Sequence, residues 1–527
     1  MLKDHTLLLI TCFAGVGGVA CNRPRACARC DTIVVAAVSE PQALLPPLIW
    51  ESVGRDIADL VYQRLAVLDG GGPPTDLAAY QPALATRWER LDSLRWRFIL
   101  RRVARWHDGT PITTADVAFS FAAYQDSLLD SPARRSLEGL SVRVESDSSV
   151  LLTFARSYPE QLYDATWHVR IIPRHVWEPI PRDRWSSDTA IAHLVGSGPY
   201  RVARWDRGQS LTLERVPEAR AVARQVIWRF AASAEAAANL VLGHEADVLE
   251  TVPDPARRHE FIADTSLALF PYPSAVYGYL GFQLTGSGAL SDRRVRQALG
   301  LALDRTQLVE AVFGPGTAVP AGPMSRMLWL WDDREPAPMD TSAAGALLDQ
   351  AGWRRRADGS RRRSGQPLLV DILVPATSLT RRALAVAIQQ RWSRLGVQAA
   401  VTAIDFPVFQ ERLGNGKFET YIGAWLDEPS PRSLSEQWTG AGWGAQNYGK
   451  YGNPVFDSLF AGVMAAATPQ QARDLWRQAL DTLAADQPAV FLYTLTNTAV
   501  ASKRIEAFRV DAYGWTRYLP DWRPVRD

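Results

Sequence analysis

Residues 267–284, LALFPYPSAVYGYLGFQL, constrain the fold of this chain more than any other stretch. From Ala275 the residues alternate: Val276, Leu280, Phe282 and Leu284 point one way, and Tyr277, Tyr279 and Gln283 the other. A period of two is the pattern of a strand with two unlike faces. Strand and loop patterns dominate before it, and strongly helical patterns follow. At 527 residues the chain exceeds one ordinary core and divides into two or three domains. The stretch is therefore expected to cross between two lobes, with any bound molecule beside it.

Composition narrows the function classes. Formal net charge is only +2, so charge points to no nucleic-acid or membrane partner. Tryptophan is frequent at 19 residues. Its broad, stiff ring with one polar atom serves core packing in most places and the wall of a wide cleft in some. Catalytic signatures are thin. Gly196-Ser197-Gly198 and Gly286-Ser287-Gly288 lack the Gly-x-Ser-x-Gly elbow, and His244-Glu245 lacks the second His of a metalloprotease helix. His107-Asp108 reads as a turn, and the seven His gather no ligand set. No catalytic residue, metal or cofactor is expected. The Arg triplets at 354–356 and 361–363 flank Asp358-Gly359 and read as an exposed hairpin, with phosphate or lipid headgroups as the alternative partner.

Local patterns place the elements. Residues 32–38, TIVVAAV, form a short buried strand, and Val53, Ile57, Leu60, Val61 and Leu65 put a helix over 52–68. Residues 84–88 and 94–100 are strands. The string at 96–121, WRFILRRVARWHDGTPITTADVAFSF, reads as strand, turn at 107–110, and helix capped by Thr113 or Thr114. Ser291 or Asp292 caps a helix striped by Val295, Leu299, Ala302 and Val309. Thr341 caps another, stopped at Gly352, and a third over 380–395 stops at Gly396. Strands at 367–374 and 397–404 flank that third helix, an α/β alternation. A helix over 468–485 and a strand from 490 follow.

The string at 96–121 resembles the signature of the family 5 extracellular solute-binding proteins, the peptide, oligopeptide and nickel receptors of ABC importers. It carries their Trp-x-Phe-x-Leu-Arg strand, Trp-His-Asp-Gly turn and Thr-Ala-x-Asp-Val helix start. GSGPYRVARW at 196–205 is similar to their Gly-Thr-Gly-Pro-Tyr entry, with Ser197 for Thr. Asp292, Val295, Arg296 and Ala298, then AAGALLDQAGW at 343–353, then Asn453, Pro454 and Asp457, match further motifs in order, while Gln283 stands where Asn is usual.

The resemblance implies an α/β, periplasmic-binding-protein-like two-lobe clamp, type II and cluster C-like, with two hinge crossings and an extra subdomain at about 50–190. Lobe I would be 32–270 with 496–527, the crossings 271–280 and 490–498, and lobe II 281–489. It implies the substrate-binding component of an ABC importer, a monomer and no enzyme. That component would deliver a peptide or similar small solute to permease subunits in the inner membrane. A periplasmic sensor or chaperone, and a secreted hydrolase, are the alternatives. Peptide receptors of this family pair the ligand's α-amine with an acidic residue after a Trp of the second lobe. Trp425 matches that Trp, and Asp427 or Glu428 is the acid. Ser39, Glu40, Tyr277 and Tyr279 complete the candidate cleft.

The N-terminus, with Lys3, an apolar run over 6–20 and Gly18-Val19-Ala20-Cys21, resembles a bacterial lipoprotein signal with Cys21 lipidated. A simple secretory signal is the alternative. Either places the protein in the periplasm or cell envelope, tethered or soluble, with 22–31 as tether. Cys27 and Cys30 are a tether disulfide or two free thiols, since no further zinc ligands stand nearby.

Overall fold

One ten-stranded mixed sheet runs through the molecule, and its two longest strands, Leu267–Phe282 and Ala489–Ser502, lie antiparallel at its middle. The computed structural model describes residues 30–69, 72–314, 316–511 and 513–525. To one side of the central pair follow Thr420–Leu426, Leu369–Pro375 and Gln398–Ile404. To the other side follow Val248–Leu249, Thr32–Ala37, Gln225–Phe230, Ser210–Arg215 and Tyr200–Asp206. The chain passes between the two halves along the central pair.

Both faces of the crossing strand are covered, each by a different apolar cluster. Leu280 and Phe282 join an apolar cluster with Val295, Leu299, Ile372 and Trp392. Tyr277 and Tyr279 join a second cluster with Trp438, Phe456, Trp476 and Phe491. The phenols find partners inside: the Tyr277 hydroxyl donates to Gln437 Oε1 at 2.6 Å and accepts from Trp438 Nε1 at 3.0 Å. The Tyr279 and Tyr421 hydroxyls bond each other at 2.8 Å. A period of two separates faces without saying which meets water, and a tyrosine with a satisfied hydroxyl packs like any aromatic. Gly278 is required here, because a Cβ would sit 2.0 Å from the Tyr493 ring laid across it.

The other half is covered in the same way. Ile33, Val35, Leu211 and Trp228 pack with Trp515 and Trp522 from the C-terminal tail. Val34 and Ala36 pack on the opposite face with Val241, Phe261 and Val500. Burial on both faces explains why Thr32–Ala37 shows no alternation. A separate antiparallel sheet, ordered Ala85–Arg90, Arg95–Leu100, Ser149–Phe154 and Leu140–Ser146, builds its own core around Trp96, Phe98, Phe121 and Leu152.

Capping chemistry sets several helix starts. Thr113 caps Thr114–Gln125 reciprocally with Asp116, whose Oδ2 accepts from the Thr113 amide at 2.7 Å. The stripe from Val295 to Val309 spans two helices, Arg293–Leu301 and Arg305–Phe313, because Asp304 accepts from the Gln307 amide and starts a new one. Asp340, not Thr341, caps Thr341–Gln350. The helix expected over 52–68 stops at Val61, and Ala66–Leu68 is a strand. In the Arg hairpin 354–356 and Arg363 are exposed and Arg362 half-buried, while Arg361 is buried and donates to Trp353 O, Leu395 O and Asp349 Oδ1. His107 joins two motifs far apart in the chain: its Nδ1 accepts from the Gly196 amide at 3.2 Å and its Nε2 lies 3.0 Å from Gly198 O.

Among the described residues no helix is long and apolar enough to cross a membrane. Cys30 is disulfide-bonded. Cys21 and Cys27 lie outside the described residues.

Candidate functional site

The crossing strands are irregular at one place. Pro273 pairs with Thr496 and Tyr277 with Thr494, so the first strand carries two extra residues between these pairs. Such a bulge re-aims the backbone and its neighbours. The end of Thr420–Leu426 docks there, with the Asp427 amide donating to Ala275 O at 2.7 Å. The Asp427 side chain is thereby drawn inside, at 4% exposure, and its Oδ2 accepts from the Ser325 amide at 2.6 Å. Burial pushes this carboxyl up to about 7 against the lowering effect of Ser325. Among the described residues no Lys, Arg or His forms an ion pair with it. It is a carboxylate taken out of water and left without a counter-charge, which costs free energy unless a cation arrives.

Aromatics from two distant parts of the chain, 163–167 and Tyr513, stand near the acids at 427 and 428. Tyr163, at 1% exposure, stacks on Trp167 at 5.5 Å, and Trp167 meets Tyr513 edge-on at 6.3 Å. The hydroxyls of Tyr163 and Tyr513 are buried and find no partner among the described residues. Burial first, then the charges of Asp427, Asp511 and Glu428, push the Tyr513 hydroxyl up; burial and then Glu428 do so for Tyr163. The uncommitted Tyr513 hydroxyl therefore lies in the field of Asp427 and Glu428, and that of Tyr163 in the field of Glu428. A second acidic pair stands beside the crossing strands. Burial pushes Glu250 up to about 7, and burial followed by Glu250 pushes up Asp56, whose Oδ2 accepts from Trp515 Nε1 at 3.0 Å. Among the described residues no group of three or more His, Cys, Asp or Glu could hold a metal ion.

The model of the bacterial extracellular solute-binding proteins, family 5 Middle, matches residues 79–447. The chain belongs to this family. Its members are solute-binding proteins and not enzymes. The periplasmic oligopeptide-binding protein OppA of Salmonella typhimurium is 25% identical over 506 residues, covering 89% of this chain and 88% of the relative. The solved structure of the substrate-binding protein CtaP from Listeria monocytogenes superposes with a TM-score of 0.81 at 20% identity, over 94% of this chain and 99% of that one. The oligopeptide-binding protein AppA from Bacillus subtilis, solved with a nonapeptide, gives 0.74 at 21% identity, over 94% and 99%. These likenesses show the two-lobe fold of periplasmic binding proteins.

In this solute-binding protein the seven expected cleft residues are not all gathered. Asp427 is buried beside the crossing, and Glu428 next to it is exposed. Trp425, half-buried, stacks on Tyr448 at 6.0 Å and pairs in register with Tyr277. Tyr277 and Tyr279 lie inside the cluster that includes Trp438 and Phe491, so they support the strand and offer no surface. Ser39 is exposed. Glu40 is committed to the strand edge, accepting from Trp205 Nε1 at 2.7 Å and the Gly208 amide at 2.8 Å. Ser325, Tyr163 and Tyr513 were not anticipated. Their only sequence signal is their residue type, since the fold brings them to the 427–428 loop from distant parts of the chain.

Proposed function

We propose that this protein captures an amine-bearing small solute, a peptide first among them, between its lobes and delivers it to the permease of an ABC importer. Asp427 carries the reading: a buried carboxylate with one amide donor and, among the described residues, no cation. A ligand ammonium would supply the missing charge through short charge-assisted hydrogen bonds, and the Tyr513 oxygen could accept one of its remaining N–H groups. The half-buried Trp425 face would lie along the solute. The names of OppA and of AppA with its nonapeptide support peptides as the class.

In this reading lobe I is 32–270 with 496–527 and lobe II is 281–489. The spans 271–280 and 490–498 are the hinge, which the bulge between Pro273 and Tyr277 favours as the place of bending. Lipidation at Cys21 would hold a monomer at the envelope.

Calorimetry with free peptides and their N-acetylated counterparts tests the reading, alongside native mass spectrometry of any solute that co-purifies. Free peptides should bind, and acetylation or Asp427→Asn should remove most of the affinity. Equal binding of acetylated peptides, or no binding by any amine, overturns it.

A further inference from the structure

The loop that carries Asp427 makes a second contact. It continues as Glu428-Pro429-Ser430-Pro431-Arg432 into the helix Ser433–Trp438. There it meets the helix Gln161–Thr166 of the subdomain core that includes Trp96 and Phe98. Ser430 Oγ donates to Glu160 Oε2 at 2.6 Å across a separation of 270 residues, and accepts from the Arg432 amide at 3.2 Å. Arg432 Nη2 donates to the same Glu160 oxygen at 3.1 Å. Its Nη1 reaches Asp164 Oδ1 at 3.1 Å and Oδ2 at 3.0 Å. The Tyr158 hydroxyl donates to Asp164 Oδ2 at 2.7 Å, and the guanidinium carbon lies 5.4 Å from the Tyr158 ring centroid. His168 Nε2 is 3.5 Å from Asp164 Oδ1.

We propose that this contact is a latch between the lobes, and that Arg432 is a positioning residue which fixes the Asp427 loop for solute capture. The proposal rests on the two-lobe clamp reading and adds to it a source of closure that uses no ligand atom.

Three observations carry it. The first is the burial of the acids. Glu160 and Asp164 stand four apart, so they share one side of their short helix, while Leu162, Tyr163 and Ala165 pack into the core. With the loop seated, Glu160 is 2% and Asp164 0% exposed. Carboxylates are tolerated that deep only when paired and hydrogen-bonded, and Arg432 with Ser430, Tyr158 and His168 provides those partners. If the loop left, both acids would recover water, so the helix suits an open clamp as well as a closed one. The second is geometry. A planar guanidinium serves two carboxylates in separate directions, a fixed arrangement that a lysine would not reproduce. The third is stiffness. Pro429 and Pro431 flank Ser430 and are buried with it, and their fixed φ angles leave few ways for the loop to move at one end and not the other. Seating Arg432 therefore seats Asp427, five residues upstream.

Small-angle scattering and hydrogen exchange on the ligand-free full chain test this, using Arg432→Gln, Asp164→Asn, the double variant and Arg432→Lys. Arg432→Gln should raise the radius of gyration. It should also speed exchange at 158–168 and 427–433 by about tenfold or more, the scale of a lost buried charge pair. The double variant should be no more open than the worse single one, and Arg432→Lys should recover part of the closure. An unchanged radius and unchanged exchange in Arg432→Gln overturn the latch. So does a lowered melting temperature with wild-type radius, which would make the contact merely structural, and so does full additivity in the double variant. No ligand enters these measurements, so a failed peptide screen sinks the solute reading and leaves this result standing.

Discussion

Asp247 and Asp427 are equally buried, each at 4% exposure, and they differ in what the chain sets beside them. Asp247 receives Arg504 through two bonds, Nε to Oδ1 at 2.7 Å and Nη2 to Oδ2 at 2.6 Å, and the Val34 amide at 2.7 Å besides. It ties the C-terminal tail to the first strand of the sheet. Asp427 receives one amide. A buried acid with its own arginine holds a structure together. One without a cation among the described residues is a charge held in readiness, and in the reading proposed above its missing partner is the ligand.

The first way to break this comparison is to remove the cation that Asp247 already has. Arg504→Gln leaves a buried carboxylate uncompensated, and the loss should be about 3–5 kcal/mol in urea unfolding. A loss below about 1 kcal/mol would mean that the pair at Asp247 contributes no more than a surface bridge.

Asp427→Asn is the second. It removes a charge that has no counter-charge among the described residues, so the ligand-free protein should be as stable as wild type or more so. Affinity for an amine-bearing peptide should drop about 30-fold to several thousand-fold, the range for truncating one side of a desolvated charged pair. If stability falls while affinity holds, the roles of the two acids are the reverse of those argued above.

The pH dependence is third. In the free protein the Asp427 carboxyl is held up at about 7, chiefly by burial. A bound ammonium favours its ionised form and pulls that value down, so binding releases a proton. Affinity should therefore rise with pH, up to about tenfold per unit below 7, and level off above it. The ligand-free fold responds with the opposite slope. A raised carboxyl stabilises most below its unfolded value and contributes less as pH climbs toward 7. Asp59 is the reverse case. Burial raises it, but Arg170 and Arg64 outweigh that and hold it at about 2, so its contribution is lost as pH falls toward 2. Titrating peptide affinity in wild type and Asp427→Asn separates the two slopes, and only the wild type should show the inflection near 7.

Much of the fold was legible because its signals are local. The unbroken apolar run of Thr32–Ala37, the cap at Thr113 and the left-handed glycines Gly352 and Gly396 each depend on neighbours in sequence. Asp427 was legible only through its place after Trp425 in a family pattern. Ser325, Tyr163, Tyr513 and Arg432 act through contacts made by the whole fold, and no spacing announces these. Tyr277 and Tyr279 mark the limit of periodicity. Their alternation correctly separated two faces, but the face they share is closed by Trp438 and Phe491, which lie far along the chain.

Glu40 offers the smallest effect and the sharpest test of where the cleft ends. Its carboxylate accepts from Trp205 Nε1 and the Gly208 amide and lies 3.6 Å from Arg207. These bonds staple the loop after the first strand to the turn between Tyr200–Asp206 and Ser210–Arg215, at the far edge of the sheet from Asp427. Glu40→Ala should cost about 1 kcal/mol of stability, as expected for a partly exposed charged acceptor. It should leave peptide affinity within about twofold, since nothing it touches adjoins Asp427. A tenfold loss of affinity with little loss of stability would extend the cleft to the 39–40 loop. It would also mean that a carboxylate already bonded by its own chain can serve the ligand, which is the one outcome the contrast between Asp247 and Asp427 does not allow.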